Sequence, residues 1–160
     1  MTSLSVEIFF ILLLILCNGI FAMSEMAIVS ARKVRLQQLA NQGNVKARTA
    51  LRLADSPNQF LSTVQIGITL IGTLAGAFGG ATLAEKLAVL LIRIPLLADK
   101  AQAIALVLVV VSISYLSLVL GELVPKRLAL NNPERVATGV ASPMRLLARI
   151  AAPVVHLLSY

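Results

Sequence analysis

Apolar residues run almost unbroken from Leu4 to Ser30, interrupted only by Glu7, Asn18 and the Ser24-Glu25 pair. Two more stretches, Phe60 to Leu83 and Ala101 to Gly121, contain no charged residue. A helix rising ~1.5 Å per residue needs roughly 20 apolar residues to cross the hydrocarbon core of a bilayer. The pattern therefore predicts three transmembrane helices, over residues 4–30, 60–83 and 101–123.

The intervening segments are patterned differently. Arg32 to Ala54 spaces Leu36, Leu39, Leu51 and Leu53 among basic residues, as one or two short amphipathic helices on a membrane surface do. Asn41-Gln42-Gly43-Asn44 is the expected turn between them. Asp55-Ser56-Pro57 offers capping oxygens and a first-turn proline to span two. Ala84 to Lys100 reads as a short connection broken by Pro95. Residues 136–158 are apolar but carry Pro143, Arg145, Arg149, Pro153 and His156. They are expected to form a juxtamembrane helix, either interfacial or packed against the bundle. The fold class expected is an all-α membrane protein forming one domain over residues 1–160.

Composition agrees, with 58% hydrophobic residues, 13% charged and a mean hydropathy of +0.90. The formal net charge of +7 matters through its placement. Arg32, Lys33, Arg35, Lys46, Arg48 and Arg52 lie between spans one and two, and Lys126, Arg127 and Arg135 follow span three. By the positive-inside rule, the N-terminus is outside and the C-terminus cytosolic. Contacts with anionic membrane lipids account for the basic excess better than nucleic acid, for which no motif is present. The first segment lacks a basic leader region, so it is expected to remain as a span. Bulky residues before Cys17 do not form a lipoprotein site, and this lone cysteine reads as a small buried hydrophobe. The single histidine, His156, has no nucleophile–base–acid arrangement around it, so enzymatic activity is not expected.

Candidate chemistry begins at Glu122, in Gly121-Glu122-Leu123-Val124-Pro125-Lys126. A carboxylate at membrane depth is costly and marks a functional site by default. Pro125 lacks an N–H and clashes with the carbonyl four residues back, so a helix break freeing the Gly121 oxygen is expected. On span two, Ser62, Gln65, Thr69, Gly72 and Gly76 recur every three or four residues and share a face. Its glycines suit tight helix packing or a break, whereas Gln65 and Thr69 fit packing and ion binding equally well. Span one adds Asn18 and Glu25, seven residues apart, with Ser24 adjacent. At ~1.5 Å per residue, Glu25 lies about 10 Å inside Arg32, Glu122 about 6 Å inside Lys126 and Gln65 about 12 Å from Pro57. Three spans thus bring polar groups to similar depth. With no basic residue inside a span to neutralise the two acids, protonation or a bound cation is required. The oxygen-only donor set suits Mg²⁺, Ca²⁺ or Na⁺.

Asn18-Gly19-Ile20-Phe21-Ala22-Met23-Ser24-Glu25-Met26-Ala27, Phe60-Leu61-Ser62-Thr63-Val64-Gln65-Ile66-Gly67-Ile68-Thr69-Leu70 and Gly121-Glu122-Leu123-Val124-Pro125-Lys126, in that order, resemble the transmembrane domain of the CorC/CNNM family of magnesium transport proteins. The resemblance implies a homodimer with three spans and a juxtamembrane helix per subunit. It implies Mg²⁺ efflux, Na⁺ as coupling ion, and cytosolic CBS and CorC-type domains in the full-length protein. Residence in a bacterial inner membrane is the corresponding expectation. It assigns Glu122, Gly121, Ser24, Ser62 and Thr69 to the metal site, with Glu25, Gln65 and Asn18 as further pocket residues. Ile68 and Thr69 stand where other branches carry asparagines, which leaves the transported ion open. Two other functions fit the residues. An exporter of an organic cation such as a polyamine would use the separated acids Glu25 and Glu122. A non-transporting anchor for cytosolic regulatory domains would use neither.

Overall fold

The computed structural model describes residues 4–158, with side chains to Pro153, and is helical throughout apart from its connections. The side chain of His156 lies outside the described residues. Helix α1 spans Leu4–Ser30, followed by α2 (Lys33–Asn41) and α3 (Val45–Asp55). Helix α4 (Pro57–Phe78) passes through a π-helical turn at Gly79–Leu83 into α5 (Ala84–Leu91). A single 3₁₀ turn, Ala98–Lys100, leads into α6 (Ala101–Leu118), a second π turn at Val119–Leu123 and α7 (Val124–Asn131). Helix α8 covers Pro133–Leu158.

Among the described residues, three helices are long and apolar enough to cross a membrane: Leu4–Ser30, Pro57–Leu91 and Ala98–Asn131. The second and third run beyond the uncharged stretches. Residues after Leu83 continue span two for two turns, where a loop is expected. The expected helix break at Pro125 is not observed. A turn with i→i+5 hydrogen bonding absorbs the proline: the Val124 N–H reaches the Val119 carbonyl, and the helix continues past it.

The amphipathic pair forms as the spacing predicts. Gly43, at φ 91°, makes the left-handed turn between α2 and α3, and the Asn44 side chain caps α3 by accepting from the Ala47 N–H at 3.0 Å. Gly43→Ala therefore costs about 1 kcal/mol of stability, readable as a lowered thermal midpoint. The capping expected at span two does not form. Ser56 makes no side-chain bond to α4, and Asp55 pairs with Lys33 at 3.2 Å.

Two apolar clusters hold the bundle. Ile28, Leu36, Leu53, Phe60, Val64, Ala137 and Met144 join the α1 C-terminus, α2, α3, the start of α4 and α8. Ile11, Ile15, Ala75, Ala84, Val109 and Ile113 join the spans at the opposite end. Helix α8 thus packs onto the bundle, against α3, α1 and α4. Between the clusters α1 crosses the second π turn closely. A Cβ on Gly19 would sit 3.0 Å from Pro125 Cγ and 3.2 Å from the Leu120 carbonyl, and one on Gly121 would sit 3.3 Å from the Ile15 carbonyl. Only glycine allows two backbones this near.

Candidate cation site

The α1 crossing brings Glu25 to the first turn of α7, one turn beyond Glu122. Lys126 Nζ lies 2.8 Å from Glu122 Oε1 and 3.4 Å from Glu25 Oε2. One ammonium therefore bridges carboxylates from two spans. The expectation that no basic residue neutralises these acids is corrected by this contact. Lys126 marks the end of the apolar run, yet its four-carbon stem folds back one helical turn to Glu122. The three side chains are partly exposed, at 39% for Glu122, 26% for Glu25 and 25% for Lys126. The site is therefore not closed off by the chain on one side. Two carboxylates against one ammonium leave a formal charge of −1.

Beside it, the carbonyl deprived of its helical partner by Pro125 is satisfied. Asn18 Nδ2 donates to the Gly121 oxygen at 3.2 Å across the helix crossing. A carbonyl only accepts, so the amide nitrogen must face it and Asn18 Oδ1 becomes the free end. That oxygen is buried and has no hydrogen-bond partner among the described residues. A buried, unpaired amide oxygen is costly and suits a cation or water ligand.

Glu25 and Glu122 thus meet through Lys126, while Gly121 and Asn18 meet through their own hydrogen bond, two helical turns before Glu25 on α1. Ser24 is fully buried and its hydroxyl bonds back to the Ile20 carbonyl at 2.6 Å. Ser62, Gln65 and Thr69 share a face, as their spacing predicts, but all three are exposed. That face lies opposite the one that buries Phe60, Thr63, Val64 and Ala75. Among the described residues, neither the Ser62 nor the Thr69 side chain hydrogen-bonds span one or three. A Cβ on Gly72 or Gly76 would meet nothing within 4 Å, whereas one on Gly67 would collide with the Phe21 ring and one on Gly79 with Ile113. Of these four, Gly67 and Gly79 are the ones packed tightly against another helix of the chain. Among the described residues no three His, Cys, Asp or Glu side chains assemble, so a metal here would draw on carbonyl, amide or water oxygens alongside the two acids. Lys126 was the participant hidden from residue spacing, although its i+4 relation to Glu122 was the available signal.

Residues 8–160 match the family of the Cyclin M transmembrane N-terminal domain, CNNM. The chain belongs to this family. Among curated relatives, the CNNM domain is 60% identical to UPF0053 protein sll0260 of Synechocystis over 98% of this chain and 35% of that protein. It is 33% identical to a Polyamine export protein of Haemophilus influenzae, over 91% of this chain and 33% of the relative. Against a Polyamine export protein of Escherichia coli K12 the figures are 30%, 93% and 33%. The chain spans about a third of the length of these relatives. It is a multi-pass membrane domain of the CNNM family.

Proposed function

We propose that this domain exports a cation through the Glu25–Glu122 site, with Mg²⁺ as cargo and Na⁺ as coupling ion. The observation that carries the reading is the convergence of carboxylates from two spans on one cation position, held by Lys126 at 2.8 and 3.4 Å. Replacing the ammonium by a divalent ion brings the formal charge of the site from −1 to zero. Asn18 Oδ1 adds a neutral oxygen within the same crossing. Mg²⁺ dehydrates reluctantly and retains waters, which the open side of the site accommodates. Ser24, Ser62 and Thr69 complete the ligand set only after α4 and α1 shift, and that shift belongs to alternating access.

A second reading is favoured by the identity of the bridging group. The site already holds a primary ammonium on an alkyl stem, the chemistry of a polyamine terminus, and two relatives carry the name Polyamine export protein. The readings separate in one titration of the purified full-length protein. Mg²⁺ cargo predicts a thermal shift at millimolar Mg²⁺ that spermidine does not reproduce at equal ionic strength; polyamine cargo predicts the reverse. No shift with either cation, and no cation-dependent flux in liposomes, would leave only a membrane anchor.

Lys126→Gln tests the bridging lysine. Removing the tethered competitor raises the apparent affinity for the cargo cation, by up to about fivefold for a partly exposed pair. Unchanged or weakened binding would contradict a competitor role.

The reading includes a homodimer. A face of Ser62, Gln65, Thr69 and Gly72 turned toward lipid is unfavourable, whereas small residues allow close contact with a second helix. A second copy covering this α4 face resolves the exposure. In Cys17→Ala protein, Gly72→Cys is expected to cross-link between subunits in native membranes, and Val107→Cys on α6 to remain monomeric. The reverse pattern would place the interface elsewhere. The N-terminus is external and the C-terminus cytosolic in a bacterial inner membrane, followed by cytosolic CBS and CorC-type domains.

A further inference from the structure

Away from the acidic site, α3 and α8 enclose a cleft of about 370 Å³ whose lining includes Arg52, Ser56, Arg145 and Arg149. An adjoining recess of about 240 Å³ shares Arg145 and Arg149 and adds Ser142. Three guanidiniums line this space, and none pairs with a carboxylate among the described residues. Asp55, three positions from Arg52, is engaged instead by Lys33. Three like charges converging without a counter-ion repel one another, so an anion in the cleft relieves a real cost.

The surroundings indicate which anion. Arg52 and Ser56 stand five residues and one residue before Pro57, the first residue of the second span. On α8, Leu146 and Ile150, each adjacent in sequence to one of the arginines, are 60% and 66% exposed. Exposed aliphatic side chains beside arginines, at the mouth of a spanning helix, mark the boundary between hydrocarbon and headgroups. Arg145 and Arg149 are four residues apart and so share a helix face, and the planar guanidinium fork matches phosphate oxygens bidentately.

We propose that this cleft binds the phosphate of an anionic phospholipid headgroup. Arg145 and Arg149 hold the phosphate from α8, Arg52 closes on it from α3, and the acyl chains run along Leu146 and Ile150. The lipid then ties α3 to α8 at the end of the bundle that carries Glu25. This inference is independent of the cargo: it stands for Mg²⁺ and for a polyamine alike.

The test uses full-length protein in phosphate-free detergent solution, titrated with phosphatidylglycerol, with phosphatidylcholine of the same acyl chains, and with inorganic phosphate. Binding is read by native mass spectrometry and thermal shift. Phosphatidylglycerol is expected to bind saturably and to raise the midpoint, with phosphatidylcholine markedly weaker. Arg145→Gln/Arg149→Gln is expected to weaken phosphatidylglycerol binding about 25-fold, from roughly fivefold per basic residue at an anionic surface. Arg135→Gln, which removes a charge elsewhere on α8, is expected to leave it unchanged. Arg145→Lys/Arg149→Lys, keeping charge but not the fork, is expected to fall between and also shows whether loss in the glutamine variant reflects misfolding. Equal binding of the two lipids, or equal loss in Arg135→Gln, overturns the proposal. So does inorganic phosphate saturating the cleft more tightly than the lipid. Absence of lipid binding, as when a cytosolic segment of the full-length protein covers the cleft, overturns it too.

Discussion

Glu122→Gln abolishes measurable cation-dependent stabilisation and reduces export by about five- to thirtyfold. The substitution keeps the size of the side chain, removes its charge and turns one acceptor oxygen into an amide donor. With Glu25 as the remaining acid, the site carries formal charge 0 against Lys126 rather than −1, and it no longer attracts a further cation. The partial exposure of Glu122, 39%, moderates the effect. A fully desolvated charge contact would cost about 2–5 kcal/mol, whereas a partly solvated one is worth nearer 1–2. The measurement is flux into liposomes, paired with thermal shift at saturating cation. Glu25→Gln is expected to act in the same direction but more weakly, since its contact with Lys126 is 3.4 Å rather than 2.8 Å. Flux in Glu122→Gln equal to the unmodified protein would remove the carboxylate from the mechanism.

Gly19→Leu lowers stability by roughly 1–3 kcal/mol and disables the site in the same step. A first added carbon already meets Pro125 Cγ at 3.0 Å and the Leu120 carbonyl at 3.2 Å. Neither neighbour yields easily, because one is a ring and the other backbone in a π turn. The added branch forces α1 away from Val119–Leu123, and with it goes the 3.2 Å bond from Asn18 to the Gly121 oxygen. Gly72→Leu makes an informative contrast within the subunit, since its position is open within 4 Å. Its effect is expected on subunit association rather than on the fold of one chain. A midpoint for Gly19→Leu within a degree of the unmodified protein would show that the crossing is looser than the contacts indicate.

The spans were legible because each is a long uncharged run, and hydrocarbon length converts directly into residue count. The α2–α3 turn was legible because Asn41-Gln42-Gly43-Asn44 contains a glycine where a left-handed residue is needed, and Gly43 takes it. Less was legible where geometry depends on the third dimension. Depth counting placed Glu25 and Glu122 at similar depth, and Lys126 spans the gap between them, but the count treated Lys126 as the membrane boundary. A lysine side chain reaches a full turn back along its helix, so a boundary residue can serve a site inside it. Periodicity placed Ser62, Gln65 and Thr69 on one face but carried no information on which neighbour that face meets. The buried face was set by Phe60, Val64 and the seat of Phe21 against Gly67. The fate of Pro125 was hidden for a related reason. Its missing donor is a local property, while the π turn and the Asn18 amide that accommodate it arise from a close crossing 103 residues away in sequence.

The most direct test of the bridged acidic site is a structure of the full-length protein with saturating Mg²⁺, and in parallel with saturating spermidine. The account predicts density between Glu25 and Glu122 with Lys126 Nζ withdrawn from both, and oxygen distances near 2.1 Å if the ion is Mg²⁺. Lys126 still bridging the two carboxylates, with the bound cation elsewhere, would contradict it.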